Sequence, residues 1–368
     1  MIHRLPARPS EGRVLKHRMF VPPLLLLALC ASAISATPQT TPGCVSYQFN
    51  SIRDYGRSYS SGGEVQEYRP VEYGLWTPAA ACKGRRMTYA EYARDAGVQR
   101  GLSPAEVEAR GPRFWADLFA ADEPLDPNVL TTPTRASREA PTLSTPTDLV
   151  VYVHANVLEG HALAEALAAS GIPVMALTWR GTYVQEFDVA ASGLVTEILD
   201  LQAALRDLGA RGTPVRRIVV IGTSFGALTA LCWHGAEPRV QAIVSLDGGI
   251  ATPTAAKLLP ACPYPKAPTS VAILHLYDAS YADVTFDYLR SRSDVAFAAV
   301  PIPVLQHRDY HSTVFVRAAN QKGADAVERE SVARAMIDRV REFASCAFKD
   351  QARACLDRKT DPPAPNAG

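Results

Sequence analysis

The residues most capable of chemistry lie in Val219-Val-Ile-Gly222-Thr223-Ser224-Phe225-Gly226-Ala227-Leu228. A serine stands between two glycines, each two positions away. An apolar run leads into it and a helical pattern leads out. On a sharp strand-to-helix turn, glycines at these positions relieve crowding and the serine hydroxyl is presented as a nucleophile. The helix start behind it supplies backbone N–H groups and a positive dipole end, so the Phe225 N–H is the first expected donor to a developing oxyanion. A phosphate-binding loop does not fit, because no Gly-Lys-Ser/Thr follows the strand. The Gly-x-Gly-x-x-Gly of a dinucleotide site is also missing there.

A serine hydroxyl needs a histidine to take its proton and an acid to orient that histidine. Two acids follow apolar runs downstream: Asp247, in Ser-Leu-Asp-Gly-Gly, and Asp278. Asp283 and Asp287 sit in a helical pattern and read as surface. Two histidines, His307 and His311, follow the last apolar run, in the loop where a general base belongs. His161 and His234 lie in helical patterns and His275 inside a strand, so all three read as ordinary structural residues. His154 ends the strand at 149–153, where a second oxyanion donor is expected. His154-Ala155-Asn156 is similar to the His-Gly-x turn found at such strand ends, and the donor is expected at the Asn156 backbone. No Cys-x-x-Cys pair or histidine cluster points to zinc, and the chemistry calls for neither metal nor cofactor.

These residues need a frame that gathers strand ends. Continuous apolar runs at 149–153, 173–178, 218–221, 242–246, 271–276 and 295–300 alternate with helical patterns at 161–170, 190–208, 225–235, 281–292 and 328–347. Runs without polar alternation belong to strands buried on both faces. Their alternation with helices predicts a doubly wound, mostly parallel α/β sheet with helices on both faces. Upstream, residues 37–62 read as an irregular lead-in and 64–76 as one or two edge strands. Residues 88–119 read as helical stretches, and 121–147 as a surface connection rich in Pro, Thr and Ser. The expected organisation is one domain over 37–368, with N-terminal edge strands and helices to 147 and a catalytic core over 148–347.

Residues 1–36 read as a removable export signal, with five basic residues and one acid before a short apolar run and a small-residue zone. The run is too short to span a bilayer comfortably, so no stable membrane span is expected after cleavage. The full chain of 368 residues has a net charge of +1, but residues 37–368 carry 33 basic and 36 acidic residues. No basic surplus speaks for nucleic acid. Six of the seven cysteines remain after residue 36, an even set suited to disulfides in a periplasmic or extracellular setting. Cys346 with Cys355 is the best-supported pair by proximity.

Several segments resemble the platelet-activating-factor acetylhydrolase-like branch of the α/β-hydrolases, close to dienelactone hydrolase-like esterases. They are Arg69-Pro-Val-Glu-Tyr-Gly-Leu-Trp76, Thr88-Tyr-Ala-Glu-Tyr92, Leu149-Val-Val-Tyr-Val-His154, Glu165-Ala-Leu-Ala-Ala-Ser-Gly171, the Gly222–Gly226 turn, Ser245-Leu-Asp247-Gly and His307-Arg-Asp-Tyr310. The resemblance implies Asp247 rather than Asp278 as the acid and His307 rather than His311 as the base. Departures are Thr223 where histidine is common, Ala155 where glycine is usual, and Trp179-Arg180-Gly181 after the second run. The expected function is hydrolysis of small carboxylic esters through Ser224, His307 and Asp247 with an acyl-enzyme intermediate. A non-catalytic binding protein on the same fold, or an amide or peptide hydrolase, are the alternatives. The oligomeric state is left open.

Overall fold

The computed structural model describes residues 43–60, 66–110, 125–139, 143, 146–182, 188–263, 270–280, 283–321 and 323–356. The expected signal segment lies outside them. Ten strands form one sheet: β1 (Cys44–Tyr59), β2 (Glu67–Ala79), β3 (Arg86–Thr88), β4 (Pro133–Arg138), β5 (Thr147–Val153), β6 (Val174–Leu177), β7 (Val215–Thr223), β8 (Val240–Leu246), β9 (Val271–Tyr277) and β10 (Val295–Pro301). Their order is β10-β9-β8-β7-β5-β6-β2-β1-β4-β3. The six strands from β5 to β10 are mutually parallel, β2 joins β6 antiparallel, and β1 pairs antiparallel with β2.

The apolar runs are strands because they bury both faces. Leu149, Val151, Val153, Ile218 and Val220 face one core with α3 (Ala191–Ala210) and α4 (Gly226–His234). Val150, Tyr152, Val219 and Ile221 face the other, which also takes in α2 (Val157–Ala169) and α6 (Ala324–Ala347). Successive side chains alternate between faces, so a strand lying between two helical layers has no polar side to show. The upstream helix α1 (Tyr89–Gln99) and the helix α5 (Thr313–Gln321) complete the longer helices used below.

Three upstream expectations change. The supposed irregular lead-in contains the 16-residue β1, and β2 is an interior strand rather than an edge. Within the supposed surface connection, β4 pairs parallel with β1. The segments singled out upstream form one buried network. The Trp76 indole N–H donates to the Tyr92 hydroxyl (2.7 Å), which donates to the Glu165 carboxylate (2.8 Å). The expected helix over 281–292 is only a short turn at Asp287–Arg290 among the described residues.

Three disulfides link Cys44 to Cys82, Cys232 to Cys262 and Cys346 to Cys355. The second ties α4, the helix behind Ser224, to the loop after β8. Three disulfides fit an oxidising compartment. Among the described residues, no helix is long and apolar enough to cross a membrane.

Candidate active site

The chemistry-bearing residues stand at the carboxyl ends of the parallel strands, where open α/β sheets place their sites. Ser224 follows β7, Asp247 follows β8, Asp278 follows β9, His154 follows β5 and His307 comes after β10. Each strand end is short of the next helix, so a side chain there projects from a fixed backbone over the sheet edge.

Ser224 takes φ +52°, a left-handed conformation that costs a non-glycine residue energy and marks a strained turn. The flanking glycines are required by contact. A Cβ on Gly222 would lie 2.4 Å from the Gly226 carbonyl oxygen, and one on Gly226 would lie 2.5 Å from the His154 Cβ. The turn is stitched to its neighbours: the Ser224 N–H donates to the Leu246 carbonyl (3.2 Å), and the Gly249 N–H donates to the Ser224 carbonyl (2.9 Å). Thr223, the departure at the elbow, is fully buried and bonds the Tyr152 hydroxyl at 2.9 Å, away from solvent.

Of the two acids, Asp247 faces His307. His307 Nδ1 lies 2.5 Å from Asp247 Oδ2, and the Asp278 backbone N–H donates to Asp247 Oδ1 (3.0 Å). The carboxylate is nearly covered and the imidazole half exposed. Asp247 is itself held at φ +44°. The Asp278 carboxylate is committed to the Ser280 N–H (2.8 Å) and hydroxyl (2.6 Å). His311 is partly buried beside Glu159, and desolvation pushes its imidazole below the ordinary histidine range. Ser224, Asp247, His307, His154 and Phe225 line one cleft of about 610 Å³, with Leu228, His275 and Tyr277 among its walls.

Asn156 does not stand open toward this cleft. It is 2 % exposed and caps α2: its side chain accepts from the Leu158 and Glu159 N–H groups (3.0 Å each). Its own N–H donates to the Glu159 carboxylate at 3.0 Å. The expected second oxyanion donor therefore already has a charged partner. The local signal was present as Asn156-Val-Leu-Glu159, a capping box with asparagine in the cap position. Replacing Asn156 with alanine keeps the backbone N–H but removes the cap, so we expect a stability loss of about 1 kcal/mol with kcat nearly unchanged. Thermal unfolding and steady-state kinetics on one preparation check both halves.

The turn around His154 carries residues that sequence reasoning passed over. His154 takes φ +65°, so the left-handed position falls there and not on Ala155. Its Nδ1 lies 3.0 Å from Glu197 on α3, and its ring stacks on Trp179 (5.4 Å). Glu197 is 4 % exposed and also accepts from the Thr229 hydroxyl on α4. The Trp179-Arg180-Gly181 departure is held from β2. Arg180 pairs with Glu72 at 2.7 Å, while Arg69 pairs with Asp200 and donates to the Gly181 carbonyl (2.7 Å). The resemblance segment Arg69–Glu72 thus clamps the loop that supports the His154 ring. No spacing rule links these positions, because they meet only through the sheet.

His275, a strand histidine on β9, reaches the same cleft. Its Nδ1 meets the Ser245 hydroxyl (2.8 Å) and its ring stacks on Tyr277. Burial lowers its pKa to about 4. Between pH 4 and the unfolded value near 6.5, the unfolded chain binds the proton and the folded chain does not, so stability rises with pH in that window. Lowering the pH from 6.5 to 4 should cost on the order of 3 kcal/mol through this residue. Urea unfolding across that range, with His275→Phe flattening part of the slope, checks it.

No family model matches the sequence, and no curated protein matches it. Among solved structures, a ferulic acid esterase from Streptomyces cinnamoneus superposes with a TM-score of 0.60 at 17% identity, covering 89% of this chain and 96% of that one. A cold-adapted esterase from an Arctic intertidal metagenomic library covers 76% of this chain and 93% of its own at 15% identity, with a TM-score of 0.39. The first likeness, together with the sheet order and the strand-end turns, shows that the chain has the α/β-hydrolase fold.

Proposed function

We propose that this chain is an exported serine hydrolase that cleaves small carboxylic esters. The observation that carries the reading is Ser224, on a strained strand-to-helix turn, sharing one cleft with a His307–Asp247 pair at 2.5 Å. The esterase name of the superposed Streptomyces protein supports it. The three disulfides and the leader-like residues 1–36 support export.

In this reading His307 takes the Ser224 proton as the hydroxyl attacks the ester carbonyl. Asp247 fixes the imidazole with Nδ1 protonated and steadies the imidazolium that forms. The Phe225 N–H receives the oxyanion. His307 then protonates the leaving alkoxide, an acyl-enzyme remains on Ser224, and water activated by His307 releases the acid. For Asn156 to serve as the second donor, its N–H must exchange the Glu159 carboxylate for the oxyanion. The open cleft and the short Pro-containing segment after β8 favour short or soluble acyl groups. No cofactor enters any step.

A panel of p-nitrophenyl esters from acetyl to palmitoyl tests the reading. Turnover concentrated at the short end supports it. No turnover with any ester, with no fluorophosphonate labelling of the folded protein, overturns it and leaves the non-catalytic binding reading.

A further inference from the structure

Two segments that carry the family resemblance, Thr88–Tyr92 and Glu165–Gly171, meet at a cavity that takes no part in the chemistry at Ser224. It measures about 350 Å³, the size of a small-molecule site, and shares no lining residue with the Ser224 cleft. Its walls include Arg86 on β3, Tyr89 on α1, Arg135 on β4, His161 and Glu165 on α2, and the face of α6 around Arg334.

His161 forms the buried floor. It is 2 % exposed, with its ring stacked on Tyr92 (4.9 Å) and edge-on to Tyr89 (5.3 Å). Its Nδ1 lies 2.7 Å from the Leu158 carbonyl, which accepts and cannot donate, so Nδ1 carries a proton. Burial pushes the imidazole below the ordinary histidine range and keeps it neutral, which leaves Nε2 a lone pair. That nitrogen has no hydrogen-bond partner among the described residues, yet it keeps accessible surface on a residue that lines this cavity. Glu165 beside it is already satisfied by the Tyr92 hydroxyl (2.8 Å) and the Arg135 N–H (2.9 Å). The Tyr89 hydroxyl also lacks a partner among the described residues, and burial, with the Glu165 charge, pushes its pKa up to about 12.

The rim has the opposite character. The side chains of Arg86 and Arg135 are exposed and make no ion pair or hydrogen bond among the described residues. Arg334 and Arg341 add charge but are paired with Glu330 and Asp338 on their own helix. A buried, uncharged acceptor suits a hydroxyl, because an ammonium would give up its water there for a neutral partner. Uncommitted guanidinium groups at the mouth suit a carboxylate.

We propose that this cavity binds a small hydroxylated carboxylate, a sugar acid. Its carboxylate meets Arg86 and Arg135, and its hydroxyls meet His161 Nε2 and the Tyr89 hydroxyl. The site is separate from the Ser224 cleft, and the proposal does not depend on the esterase reading.

The test is calorimetric titration of the full disulfide-bonded chain with sodium gluconate at constant ionic strength. One saturable equivalent is expected. Hexanoate lacks the hydroxyls, sorbitol lacks the charge, and ε-aminohexanoate carries an ammonium in place of hydroxyls; each should bind about tenfold more weakly or worse. His161→Phe keeps a ring and removes the acceptor, and should weaken gluconate about fivefold. Arg135→Gln, at an exposed position, should weaken it about tenfold and keeps the test available if His161→Phe fails to fold. Arg290→Gln, outside this cavity, should leave it unchanged. Absence of saturable gluconate binding, equal or tighter binding of any of the three comparison compounds, or equal affinity in wild type and the folded cavity variants overturns the proposal.

Discussion

Ser224→Ala is expected to abolish ester turnover, with kcat falling by about a millionfold, as for other triad serines. The argument is geometric. The hydroxyl sits on a turn at φ +52°, above the carboxyl end of the sheet and in the same cleft as His307. No other serine lines that cleft among the described residues. Alanine tolerates the left-handed backbone no worse than serine, and the flanking glycines, which carry the close contacts, are untouched. The variant should therefore melt close to wild type, separating lost chemistry from lost fold. Initial rates on p-nitrophenyl butyrate, with fluorophosphonate labelling of both proteins, read the result. Comparable turnover by the alanine variant would remove Ser224 from the mechanism.

The second large effect is the contrast between two aspartates. Asp247→Asn should lower kcat by about ten-thousandfold, because an amide in place of the carboxylate permits the wrong imidazole tautomer and leaves the imidazolium without its counter-charge. Asp278→Asn should cost far less. Its carboxylate holds the Ser280 turn, and only its backbone N–H touches Asp247. The same contrast applies between histidines: loss of His307, which bonds Asp247, should appear in kcat, whereas loss of the partly buried His311 should appear in stability. A larger kcat loss in Asp278→Asn than in Asp247→Asn would move the acid to β9.

Much of the frame was legible because it is local. The six parallel strands announce themselves as apolar runs, since all but the edge strand β10 are buried on both faces and need no partner identity to be recognised. The elbow was legible for the same reason: strand, Gly-x-Ser-x-Gly and helix are contiguous, and the contact that demands Gly222 lies within that segment, although the one that demands Gly226 comes from His154. β1 was missed because Cys44–Tyr59 mixes Ser, Arg, Asn, Asp and Gly among its apolar and aromatic residues. Its strand conformation is decided by pairing along β2, a contact that propensity does not encode. The second role of Asn156 was also local. Read as a strand-end turn it is a donor; read with Glu159 it is a helix cap that uses the same N–H.

What the sequence by itself determined is the order of chemical types along the chain and the short turns that present them: one serine between glycines, two acids, two histidines, each after an apolar run. Which acid meets which histidine was beyond its reach without the resemblance, because Asp247 and His307 are 60 residues apart and their 2.5 Å contact depends on β8, β9 and β10 lying side by side. The same holds for Arg69 with Asp200, and for His154 with Glu197 and Trp179. Side-chain pairing across a sheet is set by register and strand order, which are global minima of packing and not properties of any one segment. Tertiary structure alone therefore decided how the strand-end residues are grouped.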